Sequence, residues 1–198
     1  MGIFARLSHK IGNNLVRSNV IKEEDAEIYI YGINQIFVSV LNVSSALIIG
    51  LIFDMFLESV IFMAAYIPLR SFAGGYHAKT PVRCYFTSLI LIFVVLLFCK
   101  YVPFNLLLYG GMLLVSSVAI AFLCPVQDNN KPLDCVECRR YKKISIFILL
   151  VEILIWTVFL FIINGLEIII PIVVSMEAIM VFAGKIKNKF YLPKTTSV

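Results

Sequence analysis

Six apolar stretches, each near the ~20 residues that cross a bilayer, alternate with short polar breaks along this chain. They cover residues 28–53, 55–69, 84–99, 106–123, 144–163 and 168–184. The second is short unless it continues through Phe72. Ahead of them, Ile3, Phe4, Leu7, Ile11 and Leu15 recur at helical spacing, with Arg6, Lys10, Asn13, Asn14 and Arg17 on the other side. That pattern predicts an amphipathic helix lying in the membrane interface, on which His9 is solvated. Within the first stretch Gln35, Ser39, Asn42 and Ser45 share one helical face. Polar groups in lipid are costly unless paired, so this face should turn into a bundle, as packing glue or as a substrate contact. Glu152 and Glu177 fall inside the fifth and sixth stretches. Each either faces a cavity or partner or sits protonated and hydrogen-bonded between helices.

The expected architecture is an all-α integral membrane protein: six transmembrane helices preceded by an interfacial helix. At 198 residues it is a single polytopic domain, with the interfacial helix in 1–25, the bundle in 26–184 and a basic tail in 185–198. Composition strengthens this, since 61% of residues are apolar, against roughly 45–50% in soluble domains. Residues 1–25 hold no apolar core of a cleavable signal peptide. The net charge of +5 does not call for nucleic acid, because in such a chain basic residues first report topology. Sixteen of the seventeen Lys and Arg fall in the N-terminal region, the 70–83 and 131–143 connections and the C-terminal tail; Lys100 is the exception. Those segments alternate with connections at 54–58, 100–105 and 164–167 that carry no other Lys or Arg, so the charge bias puts both termini and both basic loops in the cytoplasm.

The polar break between the second and third stretches carries the candidate chemistry. It reads Arg70-Ser-Phe-Ala-Gly-Gly-Tyr-His-Ala-Lys-Thr-Pro-Val-Arg-Cys84 and holds one of the two histidines, His77, seven residues before a cysteine. A thiol attacks as its thiolate and needs a base, positive charge or a helix N-terminus nearby. Thr80-Pro81 reads as a helix cap and first helical residue, placing Cys84 in the opening turn. The helix dipole, Lys79 and Arg83 supply positive charge there. His77 and Cys84 lie ~10 Å apart on a continuous helix, so the chain must fold back, which Gly74-Gly75 and Pro81 permit. On spacing alone, a catalytic pair and two solvated bystanders both remain open. Cys99 and Cys124 read as small hydrophobes. Cys135-Val-Glu-Cys138 is an isolated CxxC in the polar loop 124–143, a redox pair or half of a metal site without its second half.

The pattern Arg70-x4-Gly75-x-His77-x6-Cys84 between spanning helices resembles the accessory gene regulator B family, as do the chain length, the amphipathic start and the basic loop with Asn130-Lys131-Pro132. The resemblance implies a bacterial membrane endopeptidase of quorum sensing. Such enzymes cut the C-terminal tail from a short propeptide and cyclise the remainder to a thiolactone or lactone. By position Cys84 would be the nucleophile and His77 its base. Arg70 and Gly75 match further motif positions, and with Lys79 and Arg83 they are the candidates for substrate binding or oxyanion support. A residue orienting His77 is not evident; Gln127 and Asp128 qualify only by lying on the same side. The implied partner is an amphipathic propeptide with an acidic tail, drawn to the basic loops. A homodimer is also implied, though no sequence feature demands it, and no cofactor or metal is.

Two rivals stand beside this reading. One is a helical-bundle thiol oxidoreductase using Cys135 and Cys138, disfavoured because the charge count puts that pair in the reducing cytoplasm. The other is a non-catalytic peptide exporter or scaffold, with Gln35, Asn42, Glu152 and Glu177 lining a path.

Overall fold

The computed structural model describes residues 3–76, 81–127, 133–162 and 165–191. Among them the chain is helical, with α1 (Ile3–Arg17), α2 (Ala26–Ile52), α3 (Phe56–Ala73), α4 (Pro81–Tyr101), α5 (Leu106–Leu123), α6 (Cys135–Ile162) and α7 (Ile169–Tyr191). A single 3₁₀ turn, Glu23–Asp25, precedes α2. The last six helices are long and apolar enough to cross a membrane.

Local chemistry sets the helix ends. At the close of α1 Asn19 adopts a left-handed backbone (φ 54°), and the Val20 N–H donates to the Leu15 carbonyl at 3.0 Å. Asp54 (φ 59°) plays the same part after α2, where the Met55 N–H donates to Gly50 at 2.8 Å. Both are Schellman-type endings that satisfy orphan carbonyls. The tight α2–α3 hairpin follows: Gly50 lets Ser59 approach, and the Ser59 hydroxyl donates to the Ala46 carbonyl at 2.9 Å.

Two boundaries differ from the hydropathy reading. Residues 135–143 belong to α6, so Cys135 and Cys138 sit on a helix and not in a loop. Asp134 and Glu137 form a capping box: Asp134 accepts from the Val136 and Glu137 N–H groups at 2.7 and 2.6 Å, and Glu137 accepts from the Asp134 N–H at 3.2 Å. Likewise α7 runs past Gly184 to Tyr191, so the basic stretch from Lys185 begins as helix. The second stretch does continue through Phe72.

Helix α7 is the centre of the bundle. Of its most apolar stretch 56% is buried, against 11–22% in the other spans. It packs against α3, α5 and α6, while α3 also carries α2, α4 and α6. α1 folds back along α2, with Phe4 stacked on Phe37 and Gly12 close against Ile30.

The connections sort to two ends. At one, Phe72 meets Tyr141 of α6, the Val126 N–H donates to the Ala73 carbonyl (2.9 Å), and Asn188 of α7 donates to the Gln127 carbonyl (2.7 Å). At the other, Lys100 reaches the Phe53 carbonyl at 3.5 Å and Trp156 donates to the Glu167 carbonyl at 2.8 Å. Lys100, the one cation outside the basic segments, thus lies at the end away from the Phe72–Tyr76 region.

Candidate functional site

Helix α4 begins at Pro81, which locates Cys84 in its first turn as the cap-and-proline signal predicts. Its thiol is free and half-buried. Arg83 beside it is exposed, and its carbonyl accepts from Thr87 at 2.8 Å. Cys84 lines a cavity of about 240 Å³ between α2, α3 and α4. Arg70, Tyr76 and Met180 border the same space, as do Ser39 and Asn42 of the polar α2 face. His77, Lys79, Thr80 and Asp128 lie outside the described residues, as does Asn130-Lys131-Pro132. The chain enters that gap at Tyr76 and leaves it at Pro81, so the residue before His77 and the first turn after it front one cavity.

The segment leading to His77 is held by a clamp. Arg70, on the last turn of α3, donates to the Gly74 carbonyl at 2.7 Å and to the Tyr76 carbonyl. Its guanidinium also stands 3.6 Å from Glu177 of α7, a carboxylate with no exposure to solvent. On the flanks, the Tyr76 N–H donates to the Met180 carbonyl at 2.8 Å, and Gly74 forms a bridge with Val126. Side chains are excluded here. Gly75 has φ 132°, and a Cβ on it would collide with the Arg70 guanidinium and the Met180 carbonyl. Gly184 of α7 makes room for the Gly75–Tyr76 backbone in turn. Arg70 and Gly75 therefore shape the Gly74–Tyr76 backbone.

Sequence reasoning singled out Glu177 as a buried acid without naming its partner, which the structure shows to be Arg70 across two helices. Glu152 is 3% exposed and is an electrostatic neighbour of Glu177. Neither carboxylate has a hydrogen-bond partner among the described residues. Tyr66 lies within electrostatic reach of Glu177, Arg70 and Cys84. Nothing in its sequence neighbourhood marks it, because an aromatic in an apolar run reads as packing. Gly184 carries no more signal than any glycine in a spanning helix.

The polar face of α2 turns out to be divided. Ser45 pairs with the Tyr85 hydroxyl of α4 at 2.8 Å, which is helix glue. Asn42 has its Oδ1 buried with no donor among the described residues. Gln35 is exposed. The other cysteines stand apart in character: Cys124 is buried, and burial pushes its thiol up, so it is a poor nucleophile. Cys135 is exposed and Cys138 half-buried on the first turn of α6, neither in a disulfide. His9 is exposed on α1, as its solvated reading requires.

A family model described as Accessory gene regulator B matches residues 7–182. Two proteins of Clostridium perfringens, named AgrB-like protein (strain SM101) and AgrB-like protein 2 (strain 13), are each 29% identical to this chain over 164 residues. Those matches cover 79% of this chain and 72% of each relative. No solved structure matches.

Proposed function

Because the chain belongs to the accessory gene regulator B family, we propose that it is a membrane cysteine endopeptidase which trims a short signal propeptide and cyclises it. The observation that carries this reading is Cys84, a free thiol on the first turn of α4, opening onto a cavity bordered by the residue before His77. In the first step His77 removes the Cys84 proton and the sulfur attacks the peptide carbonyl carbon. The C–N bond then breaks, and His77 returns the proton to the leaving amine. The acyl group is left as a thioester on Cys84. A thiol or hydroxyl within the bound peptide next attacks that carbonyl, giving its proton to His77, and Cys84 departs as the thiolate. The thiol version exchanges one thioester for another, so ring closure depends on proximity and exclusion of water more than on bond energy.

The positive end of the α4 helix dipole at Cys84 suits the oxyanion. Arg70 and Gly75 serve by holding the backbone into His77, and Lys79 and Arg83 by attracting an acidic propeptide tail. The site faces the cytoplasm with both termini, on the strength of the sixteen cations gathered in alternate segments. α1 is the interfacial element, with Gly12 against Ile30 of α2 and with Phe4 and Leu7 exposed for lipid. A homodimer and the lipid bilayer complete the assembly, with no cofactor and no nucleic acid.

The test first looks beside the gene for a short reading frame encoding an amphipathic peptide with a Cys or Ser four to six residues upstream of an acidic tail. It then presents that peptide to purified protein in liposomes. Cys84→Ala should abolish release of the tail, and His77→Ala should lower it by ~10²–10⁴-fold, with expression and helicity unchanged. Trimming that persists in both variants contradicts the proposal.

A further inference from the structure

The cavity at Cys84 is larger and more apolar than attack on a peptide bond requires. Beyond the thiol its apolar lining includes Val43 and Ala46 of α2, Phe62 and Met63 of α3, and Leu91 and Ile92 of α4. Among these stands one polar group out of place, the Asn42 Oδ1, which is buried and accepts from no described residue. Its neighbours on the α2 face and across the hairpin are satisfied: Ser45 by Tyr85, and Ser59 by the Ala46 carbonyl. A buried acceptor without a donor is costly, and native proteins rarely leave one without a reason. Here the missing donor has room to arrive with something large. The volume of about 240 Å³ suits a bulky aliphatic or aromatic side chain, and the walls exclude a charged one.

Building on the proposed peptidase, we infer that this cavity is the acyl-side subsite. It takes an apolar side chain from the residue that donates the scissile carbonyl or from its N-terminal neighbour, and Asn42 Oδ1 accepts that segment's backbone N–H. The acyl part stays bonded to Cys84 after the tail leaves, so only that part gains from a site sharing the nucleophile's cavity. A charged tail would lose its hydration there with no countercharge beyond Arg70, which Glu177 already faces. Anchoring the acyl segment by one side chain and one hydrogen bond also limits its rotation and fills space that water would occupy beside the thioester. One subsite thus sets specificity and favours closure over hydrolysis.

The experiment takes the neighbouring-frame peptide and versions with the acyl-side residues changed singly to Ala or Asp, and measures kcat and KM in liposomes. The wild type should prefer the bulky apolar residue over Ala by ~10–100-fold in kcat/KM and reject Asp further. Asn42→Ala should raise KM by ~10-fold with kcat within about twofold. Ala46→Leu, which fills the cavity from α2, should erase or invert the preference for bulk. A photo-crosslinking benzoylphenylalanine at the acyl-side position, presented to Cys84→Ser protein, should label the cavity lining on α2, α3 or α4. This readout needs neither catalysis nor a folded Asn42 variant. Equal cleavage of bulky and Ala peptides, or label confined to residues outside the α2, α3 and α4 walls of the cavity, overturns the subsite while leaving the peptidase intact. Correct labelling with no cleavage by the wild type shows that the cavity binds the apolar side chain but refutes the peptidase, and with it the acyl-side role.

Discussion

Two walls meet at Cys84, and they are built on opposite terms. On the α3–α7 side the backbone donors and acceptors answer one another, and Glu177 is held by the charge of Arg70 rather than by a hydrogen bond. Arg70 spans the Gly74 and Tyr76 carbonyls and Glu177, Met180 takes the Tyr76 N–H, and glycines at 74, 75 and 184 let backbones touch. On the α2–α4 side there is vacant volume and an acceptor with no donor, Asn42. A close-packed, mutually bonded wall holds geometry, whereas an open one with an unspent hydrogen bond waits for a ligand. The pairing assigns positioning to one side of the thiol and recognition to the other.

Breaking the packed wall should cost the most. Arg70→Ala leaves Glu177 buried beside no cation and two carbonyls without their donor, a loss of about 3–5 kcal/mol. Thermal unfolding in detergent should show it together with loss of peptide trimming. Arg70→Lys should rescue little, since one ammonium cannot reproduce the fork. Gly75→Ala forces a side chain into the guanidinium and into a positive-φ backbone, at about 2–3 kcal/mol. The same unfolding assay checks it, and trimming should fall with the displaced His77 segment. Away from both walls, Asp134→Ala removes the α6 cap at about 1 kcal/mol and should leave kcat/KM unchanged. Ser45→Ala on the open side removes only helix glue, about 0.5–1.5 kcal/mol, with substrate preference intact. If Ser45→Ala alters preference as Asn42→Ala does, the division of the α2 face is wrong.

Most of the architecture was legible because apolar length and turn chemistry act locally. The span 106–123 coincides with α5, and the proline before Cys84 does start α4. Where the reading fell short, polar helix was taken for loop. Hydropathy detects the part of a helix that lipid demands. The first turns of α6 and the last of α7 are polar, and they are fixed by the Asp134–Glu137 cap and by continuation of α7 beyond the apolar stretch. The buried status of α7 could not be read either, since its composition resembles that of its neighbours and burial depends on which helices surround it. At the site, local signals gave the turn position of Cys84 and a fold-back permitted by Gly74-Gly75. They could not give the Arg70–Glu177 contact, which joins residues 107 positions apart, or the unequal fates of Ser45 and Asn42 on one helical face.

The central claim is acyl transfer through the Cys84 sulfur, and the most direct measurement is a rapid acid quench of the liposome reaction followed by intact-mass and peptide mapping. The account predicts a transient, hydroxylamine-labile adduct on the fragment containing Cys84, weighing the propeptide acyl portion without its tail and absent from Cys84→Ala protein. Tail release with no adduct at any time, undiminished in Cys84→Ala, would contradict it.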